Sequence, residues 1–303
     1  MISTTVRVAV MLALLSISAM QSAAHECGIQ NFSDKIINGN VTAIDEYPWT
    51  VLIRYKQPNS NRETWGCGGS LVGTKTILTA AHCVEDMALA SLGRIEFVRL
   101  GEYDYSTEMD CVVLSNYKDC TDPPVDIKVT NVIIHPERNA NSKLHDIAIL
   151  TLETTPKHTD FIRPICLPDQ TLDDPSKKKS VYYVTGWGNT IGSLPSPSSV
   201  KMDTAVNPVD GSECRKNFPD INEKFQLCAG GKAGHNVCRG DSGGPLMYTK
   251  DNKWTIEGVV SYGRQHCGRV GFDSEPAVFT RIAGYLPWIK NVLLDQERPS
   301  WDA

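Results

Sequence analysis

The chain has 303 residues, of which 41% are hydrophobic and 21% are charged, and its formal net charge is −5. The hydrophobic fraction is high enough to bury a core, so a chain that is disordered throughout is excluded. The small negative charge and the lack of a long basic run give no electrostatic reason to expect nucleic acid or an anionic membrane as a partner.

Residues 1–24 have the three parts of a secretory signal peptide. Arg7 precedes an apolar run from Val8 to Leu15, and small residues end the segment at Ala24. No later stretch approaches the roughly 20 apolar residues that a membrane span needs. We therefore expect cleavage near Ala24 and a soluble protein that is secreted to the extracellular space.

The cysteine count and two asparagine triplets are typical of a secreted chain. Ten cysteines follow the signal peptide. In an oxidising compartment this even number favours five disulfides over free thiols, and a zinc site is disfavoured because no Cys-x-x-Cys pair is present. The spacing alone does not fix the connectivity. Asn31 and Asn40 each begin an Asn-x-Ser/Thr triplet, which predicts exposed glycosylation sites.

From Trp49 onward, short apolar or alternating runs are separated by Gly, Pro, Asn and Asp turns, a pattern typical of β-strands. A connector that contains prolines, near Thr155 to Pro168, divides the runs into two series, which predicts two packed β-barrels. The predicted strands are Thr50–Tyr55, Thr76–Thr79, Ile95–Leu100, Ile127–Ile134, Val181–Thr185, Val200–Val206, Leu246–Tyr248 and Thr255–Ser261.

A helical pattern occurs only near the C terminus. Apolar residues recur there at spacings of three, four and seven, which places them on one face of a helix. These residues are Ile282, Leu286, Ile289, Val292 and Leu293. The predicted fold class is therefore all-β, with two packed β-barrels and a C-terminal α-helix.

An acidic segment contains Glu102, Asp104, Glu108 and Asp110. These carboxylates could hold a structural calcium ion, because hard cations take several oxygen ligands. No defined ligand spacing is visible, so a solvated acidic loop is the favoured interpretation. Nothing else in the sequence calls for a cofactor or a metal.

Ser242 lies among three glycines in a Gly-Asp-Ser-Gly-Gly-Pro motif that can present its side chain on an unobstructed backbone. A serine hydroxyl is a poor nucleophile at neutral pH, and it needs a base for its proton and amide donors for the oxyanion. His82, within Thr-Ala-Ala-His-Cys, and Asp146, within His-Asp-Ile-Ala, supply a base and an acid in the order His, Asp, Ser.

The same serine motif also fits Gly-x-Ser-x-Gly, the nucleophile elbow of the α/β-hydrolases. Such an elbow is followed by its acid and then by its histidine, whereas only His266 lies downstream of Ser242. Alternating helices and parallel strands are also absent before Ser242. The order of the motifs therefore disfavours this alternative.

The three motifs resemble those of the chymotrypsin-like serine proteases of the S1 family, and the loop from Asp110 to Pro124 resembles that of arthropod clip-domain proteases. The resemblance covers Cys27 to Asn291. It implies two packed six-stranded antiparallel β-barrels in residues 36–303, with the active site between them. The propiece has one cysteine, whereas a clip domain would bring six more, so docking by a clip domain is not implied.

The resemblance implies a role for each catalytic residue. His82 acts as general base and then as general acid, and Asp146 orients His82 and stabilises its imidazolium. The backbone amides of Gly240 and Ser242 form the oxyanion hole. No catalytic metal is implied.

Residues 25–35 are expected to form a propiece, because Ile36 and its neighbours resemble the new amino terminus that activation exposes in this family. The bond Lys35–Ile36 is the expected cleavage site. The freed amino group of Ile36 then pairs with Asp241 and orders the oxyanion hole and the pocket. Before cleavage that cation does not exist, so the intact chain is expected to be inactive or nearly so.

The resemblance also implies four disulfides, and the two remaining cysteines, Cys111 and Cys120, would then close a short loop. The implied pairs are Cys67–Cys83, Cys27–Cys166, Cys214–Cys228 and Cys238–Cys267.

Asn236 occupies, by resemblance, the base of the primary pocket, where trypsin-like relatives have an aspartate that pairs with a substrate Lys or Arg. Burying a cation without a partner costs several kcal/mol. We therefore expect a preference for small or medium neutral residues such as Leu, Met, Gln or Asn, unless Asp273 or Glu275 turns inward. Lys35 would then not suit the protein's own pocket, so activation should need a separate trypsin-like protease.

The remaining substrate-binding residues are assigned by the same resemblance. Val237 and Ala277 are expected to narrow the pocket, and Arg239 is expected to be a further substrate-binding residue. Ser261 and Gly263 belong to a segment that pairs with the substrate backbone as an added strand.

The sequence therefore predicts a secreted serine endopeptidase, made as a zymogen, that hydrolyses peptide bonds through an acyl-enzyme on Ser242 in an extracellular cascade such as immune or melanisation signalling. Its expected partners are a protein or peptide substrate, an upstream trypsin-like activating protease and a secreted protease inhibitor, but neither nucleic acid nor a membrane. The alternative is a secreted non-catalytic homologue with a binding or regulatory role, which the presence of all three triad residues disfavours.

Overall fold

The structure is a computed structural model of the full chain. The structure describes residues 27–30, 42–57, 62–114, 117–139, 141, 143–169, 180–190, 196–230, 236–263 and 275–297. Within these ranges no helix is long and apolar enough to cross a membrane. Several sequence predictions lie outside the described residues: the signal peptide, the bond Lys35–Ile36, both glycosylation asparagines, Cys267 and Asp273.

The described chain contains 15 strands and three α-helices. The strands are β1 Thr50–Lys56, β2 Glu63–Leu71, β3 Thr76–Thr79, β4 Arg94–Leu100, β5 Cys111–Leu114, β6 Tyr117–Cys120, β7 Val125–Ile134, β8 Ala148–Leu152, β9 Tyr182–Gly186, β10 Met202–Val206, β11 Pro208–Val209, β12 Gln226–Gly230, β13 Pro245–Lys250, β14 Lys253–Tyr262 and β15 Pro276–Arg281. The α-helices are α1 Asp86–Leu92, α2 Gly211–Asn217 and α3 Leu286–Glu297, and short 3-10 helices cover Ala81–Cys83 and Ile282–Tyr285.

The first half of the chain forms the predicted closed barrel of six strands, in the order β1-β2-β3-β8-β7-β4. Every neighbouring pair in it is antiparallel. All five residues of β8 are buried, which agrees with its continuous apolar run. The hairpin of β5 and β6 lies outside this barrel, and Cys111 pairs directly opposite Cys120 in it.

The second half differs from a closed six-stranded barrel. Its strands form a seven-stranded sheet in the order β10-β9-β13-β14-β15-β12-β11. The two edge strands are consecutive in sequence, since only Asn207 separates Val206 from Pro208. Pro208 has no backbone N–H to donate, so the strand ladder is interrupted there. The two edge strands, β10 and β11, are therefore joined directly through Asn207, so the two edges of the sheet lie close together and the sheet is curled.

The predicted C-terminal helix is present as α3. Ile282, Leu286 and Ile289 are buried on the core side. Near the helix end, the side-chain amide of Gln296 donates to Thr151 Oγ1 at 2.9 Å and accepts from Thr76 Oγ1 at 2.6 Å. These bonds attach α3 to β3 and β8 of the first barrel.

The sequence patterns did not predict α1 and α2, because seven residues are too few to show a helical period. Asp210 caps α2, since its side chain accepts from Ser212 N at 2.9 Å. Such a cap is typical of helix starts and contributes about 1 kcal/mol.

Aromatic residues from both halves meet in one core. Trp254 of β14 lies 5.3 Å from Tyr47 and 6.1 Å from Trp49, measured between ring centroids. The indole N–H of Trp49 donates to Met247 Sδ at 3.0 Å. Such ring pairs contribute about 0.5–1.5 kcal/mol each beyond their burial. The two halves therefore pack as one body, and residues between them are held in place.

Disulfides join Cys27 to Cys166, Cys67 to Cys83, Cys111 to Cys120 and Cys214 to Cys228. Cys238 is also in a disulfide, and its partner lies outside the described residues.

The segment after Cys27 packs against the rest of the fold. Gly28 N donates to Pro164 O at 2.8 Å, and Trp254 N donates to Gly28 O at 2.9 Å. Gly28 has φ +70°, and a β-carbon there would overlap the Trp254 carbonyl oxygen. Only glycine fits this contact without strain.

Candidate active site

The turn that carries Ser242 is held between the two halves of the fold. Gly68 N of β2 donates to Ser242 O at 2.8 Å, and Gly243 N donates to Val260 O of β14 at 2.9 Å. Gly243 has φ +80°, and a β-carbon there would overlap Thr79 Oγ1. The glycine directly after Ser242 is therefore required by close packing as well as by backbone conformation.

His82 and Asp146 are joined by two hydrogen bonds. The backbone N–H of His82 donates to Asp146 Oδ1 at 2.9 Å, and His82 Nδ1 lies 2.8 Å from Asp146 Oδ2. An ionised carboxylate can only accept, so Nδ1 carries the proton and Nε2 has a free lone pair. The 3-10 turn of His82 is also fixed by the disulfide of Cys83.

Among the described residues no hydrogen bond joins Ser242 to His82, and the close approach is between the turn after Ser242 and the segment that leads to His82. A β-carbon at Gly243 would lie 3.2 Å from Ala80 N, so the serine turn packs against the segment that leads to His82. His82 Nε2 lies 3.8 Å from Cys83 Sγ. Catalytic hydrogen bonds are often long before substrate binds and shorten in the substrate complex.

Asp146 is nearly fully buried, with 4% of its surface exposed. The Ser261 hydroxyl donates to Asp146 Oδ2, and the Thr280 hydroxyl donates to the Asp146 carbonyl at 2.7 Å. Burial raises the pKa of Asp146, but His82, Ser261 and Arg138 together outweigh it and hold the pKa below its usual range. The carboxylate is therefore held ionised beside the imidazole ring.

Two backbone amides in the serine turn are available to hold an oxyanion. Within the described part of the chain, neither Gly240 N nor Ser242 N donates to an acceptor, whereas Asp241 N donates to Cys238 O at 3.0 Å. Gly240 has φ +107°, and a β-carbon there would lie 2.9 Å from Gly188 Cα. A glycine at this position therefore permits both the conformation and the close approach.

The Asp241 side chain lies in a cradle of backbone groups. Its oxygens accept from Gly188 N at 2.9 Å and from Cys238 N at 2.8 Å. β-carbons at Gly186 or Gly188 would overlap the carboxylate. Burial raises the pKa of Asp241, although the two amide hydrogen bonds act in the opposite direction. No cation among the described residues forms an ion pair with this carboxylate.

The residues assigned to the primary pocket lie together. Asn236 Nδ2 donates to Glu275 O at 2.8 Å, and Val237 N donates to Asn236 Oδ1 at 2.9 Å. Ala277 is 2% exposed, and a β-carbon at Gly263 would lie 3.4 Å from Ala277 Cβ. The amide of Asn236 is therefore oriented by the backbone.

Arg239 has an exposed side chain, and its carbonyl accepts from Asn189 N at 2.8 Å. Tyr262 lies between Ser261 and Gly263, and the ammonium group of Lys143 lies 4.4 Å from the centroid of its ring.

The favoured interpretation of the acidic segment as a solvated loop is wrong for Glu102 and Asp110, which are 2% and 8% exposed. Glu102 accepts from Arg99 at 3.1 Å, and buried Lys201 contributes a second positive charge. Glu108 is exposed as expected. Buried carboxylates require nearby cations or hydrogen bonds. Arg99 and Lys201 supply the cations, and the backbone N–H groups of Tyr103 and Asp104 donate to Glu102 and Asp110.

Sequence reasoning missed three side chains that contact Asp146: the hydroxyls of Ser261 and Thr280, and Arg138. Ser261 was assigned only to substrate binding. These residues lie between 8 and 134 positions away from Asp146 in sequence. Only the folded arrangement reveals them.

The fold combines a closed β-barrel with a curled sheet, and it holds a hydrogen-bonded histidine–aspartate pair and a serine in a glycine-rich turn. These features are those of a serine protease of the chymotrypsin-like class. The family described as Trypsin matches residues 36–289. The chain therefore belongs to the trypsin family of serine-type endopeptidases.

Several relatives are insect proteins named as CLIP domain-containing serine proteases. CLIP domain-containing serine protease B8 of Anopheles gambiae is 41% identical over 283 residues, which cover 88% of this chain and 68% of that protein. Melanization protease 1 of Drosophila melanogaster has the same identity and coverage. The crystal structure of the Drosophila Grass clip serine protease of the Toll pathway matches with a TM-score of 0.75 and 32% identity, over 92% of this chain and 78% of that chain.

Proposed function

We propose that this chain is a secreted zymogen whose activated form cleaves protein substrates through an acyl-enzyme on Ser242. One observation carries the proposal: His82 is fixed by two hydrogen bonds to buried Asp146, next to a serine turn with two amides that have no described acceptor. This arrangement supplies a base, an orienting acid and an oxyanion site for acyl transfer.

In the proposed reaction, Ser242 Oγ attacks the scissile carbonyl carbon while its proton moves to His82 Nε2. The amides of Gly240 and Ser242 hold the resulting oxyanion. His82 then gives the proton to the leaving amine, and the C–N bond breaks. Water attacks the acyl-enzyme with His82 again as base, which releases the second product and restores the hydroxyl.

Activation is proposed to depend on Asp241. A carboxylate that is buried without a cation is costly, and the two amides near Asp241 compensate only part of that cost. Cleavage after Lys35 would create the ammonium of Ile36 as the missing cation. Because Asp241 lies between Gly240 and Ser242, its pairing would order the oxyanion amides at the same time.

The activated enzyme is proposed to prefer neutral side chains before the scissile bond. Asn236 provides no charge, and its amide is oriented by Val237 N and the Glu275 carbonyl. Glu275 contacts Asn236 through its backbone carbonyl, and this contact brings no negative charge to Asn236. A separate protease with basic specificity is then required to cleave after Lys35.

We assign the protein to an extracellular cascade, because relatives include a melanization protease and a clip protease of the Toll pathway. Secretion is supported by the signal-like first residues and by the disulfides. An upstream protease, a protein substrate and a secreted inhibitor are the proposed partners.

A fluorophosphonate probe tests this proposal. We expect Ser242 to be labelled after cleavage of Lys35–Ile36 and to remain almost unlabelled in the intact chain. Equal labelling of both forms would contradict the zymogen proposal. A folded, cleaved protein that never reacts would favour the alternative, a non-catalytic binding or regulatory homologue.

A further inference from the structure

A mostly buried arginine lies beside the carboxylate of the catalytic pair. The side chain of Arg138, in the loop after β7, is 10% exposed, and its Nη2 lies 3.7 Å from Asp146 Oδ1. This separation is too long for a hydrogen bond, so the contact is electrostatic. The same oxygen accepts the backbone N–H of His82.

Arg138 connects the two loops that carry His82 and Asp146. Its Nε and Nη2 donate to the two oxygens of Glu85 at 2.8 and 3.1 Å. Its Nη1 donates to the Leu144 carbonyl at 3.0 Å. Glu85 is three residues after His82, and Leu144 is two residues before Asp146. A guanidinium that binds a carboxylate with two parallel bonds is held in a fixed orientation.

The charges in this chain of contacts alternate in sign. Glu85 is negative, Arg138 positive and Asp146 negative, and His82 becomes positive when it takes the proton of Ser242. A cation near Asp146 weakens the field that stabilises this imidazolium, while Glu85 partly cancels that cation. At separations near 4 Å in a partly buried site, such effects are larger than those of surface charges.

We propose that Arg138 is a positioning residue that fixes the His82–Asp146 geometry and limits, through Asp146, the stabilisation of the imidazolium. Glu85 is its counter-charge. The inference rests on the proposed roles of His82, Asp146 and Ser242. It concerns the pH range of the reaction, because an enzyme whose imidazolium is less stabilised keeps its base free at lower pH.

Other titratable groups also face this region and stay unchanged in every variant compared below. The loop between β7 and β8 contributes ionisable side chains, and so do the 3-10 segment before α3 and the end of β14. These groups are Glu137, His145, His135, Tyr285 and Tyr262. A difference in pH profile between variants therefore reports the altered charge.

The test compares the acidic limb of kcat/KM for the activated enzyme and its variants. R138Q leaves Glu85 as an unpaired anion, and we expect the midpoint of the limb to move up by about 0.5 to 1 pH unit. E85Q leaves Arg138 unpaired, so the midpoint should move down. The double variant E85Q/R138Q should lie between the two.

Two further variants serve as controls. D86N makes the same charge change as E85Q at the adjacent exposed residue, and it should leave the limb in place. R138K keeps the cation but cannot form the paired bonds to Glu85, and it should retain a limb close to that of the parent enzyme. If R138K moved the limb as far as R138Q, the lost paired bonds rather than the charge would be responsible, and the claim that the charge of Arg138 limits the stabilisation of the imidazolium would fail.

Active-site titration with a fluorophosphonate distinguishes a failure of the role proposed for Arg138 from a failure of the proposed function. If R138Q and E85Q label fully and share the parent's acidic limb, the role of Arg138 is refuted while the triad stands. If the parent enzyme does not label after cleavage, the proposed function itself is refuted.

Discussion

Replacing Asn236 with aspartate should convert the primary pocket to one that prefers basic residues. The structure shows what the change removes and what it adds. Asn236 Oδ1 accepts from Val237 N at 2.9 Å, and an aspartate oxygen can do the same. Asn236 Nδ2 donates to Glu275 O at 2.8 Å, and an aspartate cannot replace that donor. The variant therefore places a carboxylate oxygen against a carbonyl oxygen.

The loss of stability and the gain in preference for a basic substrate residue can both be estimated. Losing the hydrogen bond of this half-buried amide costs about 0.5–1.5 kcal/mol, which corresponds to a Tm lower by roughly 1–6 °C in a domain of this size. A charge-assisted hydrogen bond to a substrate cation contributes about 1.5–3 kcal/mol. We therefore expect kcat/KM for Arg over Leu to rise by about 10- to 150-fold relative to the parent enzyme.

The assay uses paired peptides that differ only in the residue before the scissile bond, Arg or Leu. N236A serves as the matched control, because it removes the side-chain donor to Glu275 without adding a charge. It should lower Tm without creating a basic preference. Dominant cleavage after Arg or Lys by the unmodified activated enzyme, or self-activation of a purified zymogen, would refute the pocket argument.

Three further predictions concern other parts of the molecule. The disulfide of Cys27 and Cys166 should keep the propiece attached after activation, so mass spectrometry should detect its release only on reduction; its loss from unreduced enzyme would contradict the pairing. Burial lowers the pKa of Lys201 from 10.5 to about 8. Between these values the unfolded chain binds a proton that the folded chain does not, so the free energy of unfolding should rise with pH from about 8 to about 10. Urea unfolding of K201M should lack this rise, and equal slopes in both proteins would show that Lys201 titrates normally. S261A removes the hydroxyl that donates to Asp146, and we expect kcat to fall about 5- to 10-fold with little change in KM; a change in KM alone would mean that Ser261 acts only in substrate binding.

Much of the first barrel could be predicted from sequence, because its strands combine apolar runs with clear turns. The predicted strand Thr76–Thr79 coincides with β3. In contrast, β2 was missed because its sequence contains three glycines and no regular alternation. Strands β12 and β15 were missed as well. Their small buried residues, such as Ala229 and Ala277, pair across the sheet but give no strong β signal in sequence.

The sequence motifs that indicated His82, Asp146 and Ser242 are local, so the residues could be proposed from the chain alone. The contacts that orient them are not local. Thr280 reaches Asp146 across 134 residues, and the fork of Arg138 reaches Glu85 across 53 residues. No short pattern encodes such pairs, since they depend on how the two halves pack. The same holds for the cradle of Gly186 and Gly188 around Asp241.

The central claim is that the activated chain forms a covalent acyl-enzyme on Ser242. Its most direct measurement is to mix activated enzyme with a nitrophenyl ester, quench at low pH during the initial burst and map the peptides by mass spectrometry. We predict about one acyl group per active site on the peptide that contains Ser242, and none in S242A. A folded, activated protein that releases nitrophenol without acylating this peptide would contradict the account.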